Sequence, residues 1–315
     1  MKEFNTAKEF RWVTPEDRTT IDSFMMKYGG GSCQHSFIAM YGMRGKYGDK
    51  YLIDEDVLYV LRTGLSSEKE TAFLIPMGES CLSDDGLKDA VEKTASYAHK
   101  TGTKLVFNTL EEKAMKRITD LFPGRFSVEE VRDSFEYIHT YEGLVNMEGS
   151  KYARRRQDMN SFNKNYGDAT RIKIIDEGDI EELKSFQTAW NDDFREYCKA
   201  TGKKIIDHEH EGIMNTFAHY GELPLSGIVL RINGEIKGYA YGTVISDNVY
   251  DVLIEKGDRN IKDIYRPLNR ELVRMCAVGH KYINREEDCG DPGLRASKMS
   301  LVPEFFLKKY VVREV

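Results

Sequence analysis

The stretch GIVLRINGEIKGYAYGTVI, residues 227–245, decides how the second half of the chain is built. Asn233-Gly234 is the two-residue turn whose backbone twist suits an antiparallel pair, so 227–232 and 235–245 read as a hairpin. Residues 249–255 follow as a third strand. Residues 260–278 then place Ile261, Ile264, Leu268, Leu272, Met275 and Val278 at helical spacing. Upstream, 171–175 reads as a strand. Asp179 caps a long helix, with Glu182 at the capping-box position. Ile180, Leu183, Phe186, Trp190, Phe194 and Tyr197 line its buried face, with Trp190 as a core residue. A second helix is expected over 211–219. Downstream come a short strand at 282–283, one or two helical turns over 292–299, and a closing strand over 306–312.

The first half repeats this order. Thr14 and Pro15 open a helix whose stripe is Ile21, Phe24, Met25 and Tyr28, and Gly29 to Gly31 end it. A shorter helix is expected at 37–41, a hairpin at 51–61, a strand at 71–76, a helix at 85–101, a strand at 105–107 and a helix at 110–121. Strands at 126–131 and 135–141 complete it. Each half reads helix, helix, three antiparallel strands, helix, strand, helix, strand. The repeat lies in element order, not residue identity, and it matches the order of the Gcn5-related N-acetyltransferase class. The expected architecture is α/β with mixed sheets, in tandem duplicated acetyltransferase-like domains at 1–149 and 150–315. A basic helical segment, 150–166, connects them.

Composition limits the function. A chain of 315 residues suits two domains, and 40% hydrophobic with 31% charged residues suits a globular protein. A net charge of −6 argues against indiscriminate binding to nucleic acid or anionic lipid, so such binding would need a local basic patch. Cys33, Cys81, Cys198, Cys276 and Cys289 form no CxxC pair, which argues against structural zinc and a disulfide framework and for a reducing cytoplasm. No metal site is expected. The N-terminal residues have no apolar signal-peptide core, and no apolar run approaches the roughly 20 residues that span a bilayer.

The segment Tyr282-Ile-Asn-Arg-Glu-Glu-Asp-Cys-Gly-Asp-Pro-Gly-Leu-Arg-Ala-Ser-Lys298 resembles the signature of the phosphatidylglycerol lysyltransferase C-terminal-domain-like family. Matching pieces stand in family order: Ser36 to Tyr41, Phe73 to Gly78, Glu136 to Tyr141, Gly149 to Arg156, Asn160 to Phe162, and Glu255-Lys256. The resemblance covers nearly the whole chain. It implies two tandem acyltransferase-like domains, similar to those of peptidoglycan Fem transferases and aminoacyl-phosphatidylglycerol synthases. Such relatives move an aminoacyl group from charged tRNA to a lipid hydroxyl or a peptide amine, without a metal. No counterpart of the membrane-spanning flippase region of lysyl-lipid synthases is expected in these 315 residues.

Acyl transfer needs a positioned nucleophile, a proton acceptor and oxyanion donors. Asn284-Arg285-Glu286-Glu287-Asp288 supplies three carboxylates and a guanidinium at a strand end. Packing of one carboxylate against Arg295 or Lys298 would orient it and leave a neighbour as base. Alternation would put Glu286 and Asp288 on one side and Glu287 on the other. The competing reading is a structural ion-pair network with Arg285, Arg295 and Lys298. Lys151, Arg154 and Arg155 are expected on one helix face, beside Arg156. Such guanidiniums suit a tRNA end, a nucleotide or a lipid headgroup, although a solvated linking helix explains them as well.

Glu255-Lys256-Gly257-Asp258-Arg259 joins the third strand to the long helix. Coenzyme A would need a glycine-rich turn there, and Asp258 would repel its phosphates. Tyr265, Arg266 and Asn269 follow on the helix, within reach of the same cleft or simply packing. The His208–His210 pair has no third metal ligand in view, and acidic neighbours make Cys289 a poor thiolate. The leading expectation is an acyl- or aminoacyl-transferase that needs no cofactor, with charged tRNA or acyl-CoA as donor substrate and peripheral contact with lipid headgroups. The rivals are a CoA-dependent small-molecule N-acetyltransferase and a non-catalytic lipid-headgroup or RNA-binding module.

Overall fold

The computed structural model describes residues 2–203, 205 and 207–315. The chain forms two compact units, Met1–Glu136 with Leu307–Val315, and Tyr137–Phe306. The division expected at 149/150 thus falls at 136/137, and the last strand returns to the first unit.

Among its described residues, the first unit holds an eight-stranded mixed sheet. Its main path runs Arg11–Trp12, Asp49–Asp54, Val57–Arg62, Glu70–Phe73, Lys104–Glu111, Lys309–Glu314, Phe126–Glu130, with Met77–Gly78 paired to the third of these. Helix Asp84–Lys100 lays Leu87, Val91, Ala95 and Ala98 on Phe73, Leu105 and Phe107. The helix expected from 110 begins at Glu112, because Leu110 is still in the ladder, opposite Tyr310 of the returning strand.

For the second sheet and the helices around it we label β1 Glu136–Thr140, α1 Ala153–Tyr166, β2 Thr170–Ile174, α2 Ile180–Thr201, α3 Asp207–Ala218, β3 Ser226–Ile232 and β4 Glu235–Ser246. Then follow β5 Val249–Gly257, α4 Tyr265–Cys276, β6 Tyr282–Asn284, α5 Pro292–Ser300 and β7 Phe305–Leu307. The sheet order is β7-β1-β6-β5-β4-β3-β2. On β3, Ile228, Leu230 and Ile232 face Leu268, Leu272 and Val273 of α4. Val229 faces the opposite way, onto Leu183 of α2 and Ile213 and Phe217 of α3. Both faces of the sheet are therefore covered, which is why β3 is apolar nearly throughout.

The β5–β6 pair is parallel and spans only Val249↔Tyr282, Tyr250↔Ile283 and Asp251↔Asn284. Beyond it β5 runs on to Gly257. The chain after β6 stays with β1 instead: Arg285 N donates to Tyr137 O at 3.0 Å, and Tyr137 N to Glu286 O at 3.2 Å. The two parallel strands thus part at their carboxyl ends, the place where open α/β sheets take ligands.

Candidate functional site

The fork between β5 and β6 is bridged by charge. Both terminal nitrogens of Arg285 donate to the Glu255 carboxylate, one at 3.1 Å and one in a shorter contact. Asn269 of α4 donates to the same carboxylate at 2.6 Å. Three elements, β5, α4 and the turn after β6, therefore place Glu255, Asn269 and Arg285 together.

Helix α1 adds a second charged layer. Tyr152, Arg155, Met159, Phe162 and Tyr166 recur at helical spacing and form its inward stripe. Tyr152, Arg155, Met159 and Phe162 are buried, and Tyr166 packs against the core. Arg155 is therefore turned inward, away from exposed Lys151 and Arg154, and the single basic face expected for these residues is not formed. One turn on, buried Asp158 accepts from Arg266 at 2.9 and 3.1 Å and pairs with Arg154 at 3.0 Å. Arg155 is only 2% exposed, yet none of its three nitrogens has a hydrogen-bond partner among the described residues. Burial, with repulsion from Arg285 and Arg266, pulls its pKa down to about 10.

His139 of β1 belongs to the same neighbourhood. It is 1% exposed, and burial followed by the charges of Arg285 and Arg155 drops its pKa to about 3, so the imidazole is neutral. The backbone of Leu301 and Val302 approaches it and partly opposes that shift, without hydrogen-bond geometry. The sequence offers no motif that singles out His139 or Asp158, whereas Arg266 stands with Tyr265 and Asn269 on the helix expected to face the cleft. Spacing offers two signals: Arg155 occupies a position in an otherwise apolar stripe, and His139 alternates in phase with Tyr137 on a buried strand.

The Glu-Glu-Asp run is not a simple extended segment. Glu286 adopts φ +55° and Cys289 φ +51°, and Asn284 Oδ1 accepts from Glu286 N at 2.8 Å. The expected alternation of the three acids is broken by this turn. Asp288 is fully buried and accepts from Arg295 at 2.8 and 2.9 Å, Tyr137 at 2.6 Å and Gly290 N at 2.9 Å. Burial alone would raise its pKa, but the Arg295, Tyr137 and Gly290 bonds outweigh it and hold the carboxyl well below the usual range. Buried Lys298 donates to the carbonyls of Arg285 and Glu287, the latter at 2.6 Å. Asp288 and Arg295 thus form a structural ion pair, Lys298 holds backbone carbonyls rather than an acid, and Asp288 is an anchor. Glu286, Glu287 and Arg295 remain partly exposed.

Other expected residues stand apart from this group. Lys256 pairs with Glu209 at 2.5 Å and lies 4.2 Å from the Trp190 ring. Trp190 is half-buried, a correction to its expected core position, and donates to Gly257 O at 3.0 Å. Tyr265 accepts from Gly257 N at 3.3 Å. Arg156 donates to the carbonyls of Met147 and Gly149, closing its own helix start. Among the described residues, no His, Cys, Asp and Glu group suits a metal ion, and no helix is long and apolar enough to cross a membrane.

A sequence model of the family described as phosphatidylglycerol lysyltransferase, C-terminal, matches residues 27–313. The chain belongs to that family. Among solved structures, a conserved protein of unknown function from Bacteroides thetaiotaomicron is 26% identical, with a TM-score of 0.88 over 98% of this chain and 100% of that one. L-PGS from Bacillus licheniformis is 14% identical, with a TM-score of 0.65 over 96% and 93% of the two chains. FemX is 8% identical, with a TM-score of 0.65 over 98% and 97%. These likenesses identify the fold as the tandem acetyltransferase type. An uncharacterized protein of Mycoplasmoides gallisepticum is 22% identical over 193 residues, 61% of this chain. The match spans about 60% of that curated relative's length.

Proposed function

We propose that this chain is an acyl- or aminoacyl-transferase whose reaction takes place at the fork between β5 and β6. The observation that carries this reading is the placement of Glu255, Asn269 and Arg285 where two parallel strands part at their carboxyl ends. The family's description and the likeness to L-PGS and FemX support transfer chemistry of this kind. In the proposed step an acceptor hydroxyl or amine attacks the carbonyl carbon of an activated ester or thioester. The new C–O or C–N bond forms, the bond to the leaving oxygen or sulfur breaks, and Glu286 or Glu287 takes the acceptor's proton before it passes to the leaving group. Asp288 is too firmly held to share that role. It fixes Arg295 and the turn that carries the two glutamates.

The amides at the end of β5 favour charged tRNA over acyl-CoA as donor. Gly257 N is bonded to Tyr265, Asp258 N to Lys237 O at 2.8 Å, Asn260 N to Asp258 Oδ1 at 3.0 Å and Ile261 N to Asp258 O at 3.0 Å. A pyrophosphate cradle needs such N–H groups free. The test is a transfer assay on the purified chain, with radiolabelled aminoacyl-tRNAs and, separately, acyl-CoAs, against phosphatidylglycerol vesicles and amine acceptors. Label should move from charged tRNA, and Glu286→Gln or Glu287→Gln should lower kcat by about 10²–10⁴. No transfer from any donor to any acceptor would sink the proposal.

A further inference from the structure

One neighbourhood of the second unit holds six buried nitrogen atoms without a hydrogen-bond partner among the described residues. They are Nε, Nη1 and Nη2 of Arg155, Nε of Arg285, and both ring nitrogens of His139. Native proteins leave few buried donors unmade, and several in one place point to a group that completes them. The charges agree. Among the described ion pairs, Arg266 is matched by Asp158 and Arg285 by Glu255, and Arg155 enters none. The positive charge left over is that of Arg155.

We propose that Arg155, the Arg285 Nε and His139 together form a binding position for a phosphate-type oxyanion. The Arg155 fork offers up to five N–H donors, Arg285 one more, and a neutral imidazole one donor and one acceptor. A carboxylate has too few oxygens to use that set. A phosphate has enough, and its P–OH supplies the proton that the second imidazole nitrogen accepts. The guanidinium is sealed from water, so an anion held there is desolvated with it. A glycerol phosphomonoester, the terminal phosphate of a nucleotide and free phosphate share this chemistry, whereas a phosphodiester has no P–OH to offer. The site stands whether or not the chain transfers acyl groups.

The experiment uses the full chain at constant ionic strength, with calorimetric titration and thermal melting in inorganic phosphate against chloride. Saturable phosphate binding and a raised melting temperature are expected. Arg155→Met should abolish both, and without phosphate it should melt no lower than the parent, because it removes a buried charge that lacks a counter-charge. Arg155→Lys keeps the charge but loses the fork, and should bind phosphate at least tenfold more weakly. Glycerol 3-phosphate and adenosine monophosphate, titrated side by side, separate the two sources: the tighter binder names the class of ester. Absence of saturable phosphate binding overturns the proposal, as does undiminished binding by Arg155→Met. If that variant does not fold, unchanged affinity in Arg155→Lys overturns it instead.

Discussion

Glu111 of the first unit is a carboxyl under opposing influences. Its Oε1 is buried without a hydrogen-bond partner among the described residues, and it lies against Gly30 closely enough that a Cβ there would sit 2.9 Å from it. Burial raises its pKa, Lys309 opposes and Glu136 adds to the rise, and the result is about 7 against an ordinary 4.5. An acid whose folded pKa is raised favours folding in its neutral form. Its contribution is therefore whole below pH 4.5 and is lost as the pH climbs towards 7. A difference of that size corresponds to at most about 3 kcal/mol. Glu111→Gln should match the parent near pH 4.5 and exceed it in stability at pH 8, read by urea unfolding at both values. Identical pH dependence in the two proteins would refute this account. At this same scale the sequence was partly legible. The acids and bases of 284–298 were recognisable as a charged group, but which of them would be anchors depended on Tyr137, 151 residues away from Asp288. Arg155 was misplaced because basic neighbours were grouped by charge, whereas the apolar stripe through Met159 and Phe162 sets the helix's rotation.

Helix α4 lies close on the sheet because the strands beneath it are bare at one spot. Gly238 of β4 and Gly257 of β5 are paired in register. A Cβ on Gly238 would meet Leu268 Cδ1 at 2.9 Å and the Lys256 carbonyl oxygen at 3.0 Å, and one on Gly257 would meet Ile264 Cγ2 at 2.8 Å. Gly238→Ala should therefore cost about 1–3 kcal/mol through overpacking. Leu268→Ala, costly alone, should be less so in the Gly238→Ala background, since it vacates the contested space. Chemical denaturation of the double-mutant cycle measures this, and strictly additive losses would refute the packing argument. Elements of this kind were the most readable part of the sequence. Asn233 and Gly234 take φ +52° and +86°, the turn their identities announce. Trp190 shows the limit. Periodicity gives the inward face of α2 but not how far the sheet extends below it, so a residue near the sheet's end is half-covered and packs against Lys256.

Across the whole molecule, the returning strand is the feature that local patterns do not encode. Two consecutive halves of matching element order suggest two consecutive domains, yet Lys309–Glu314 inserts between Lys104–Glu111 and Phe126–Glu130 of the first unit. Strand partners about 200 residues apart leave no mark in a window of ten. What fixes the strand is visible in its first residue. Lys309 is fully buried, and its ammonium lies 2.7 Å from both Glu136 Oε1 and Ser32 Oγ. Glu136 in turn accepts from Ser32 Oγ at 2.8 Å and Cys33 N at 3.0 Å. Removing one member of a buried pair leaves the other charged and uncompensated, which costs about 3–5 kcal/mol, whereas removing both charges costs far less. Lys309→Met should thus be severely destabilised, and Lys309→Met with Glu136→Gln should regain much of the loss. The defect should also be local, since the strand holds its two neighbours together. Amide hydrogen exchange should accelerate in 104–111 and 126–130, while β3 and β4 of the second unit keep their protection. Uniform acceleration in both units, or a double variant no better than the single one, would show that the buried pair is not what fastens the strand.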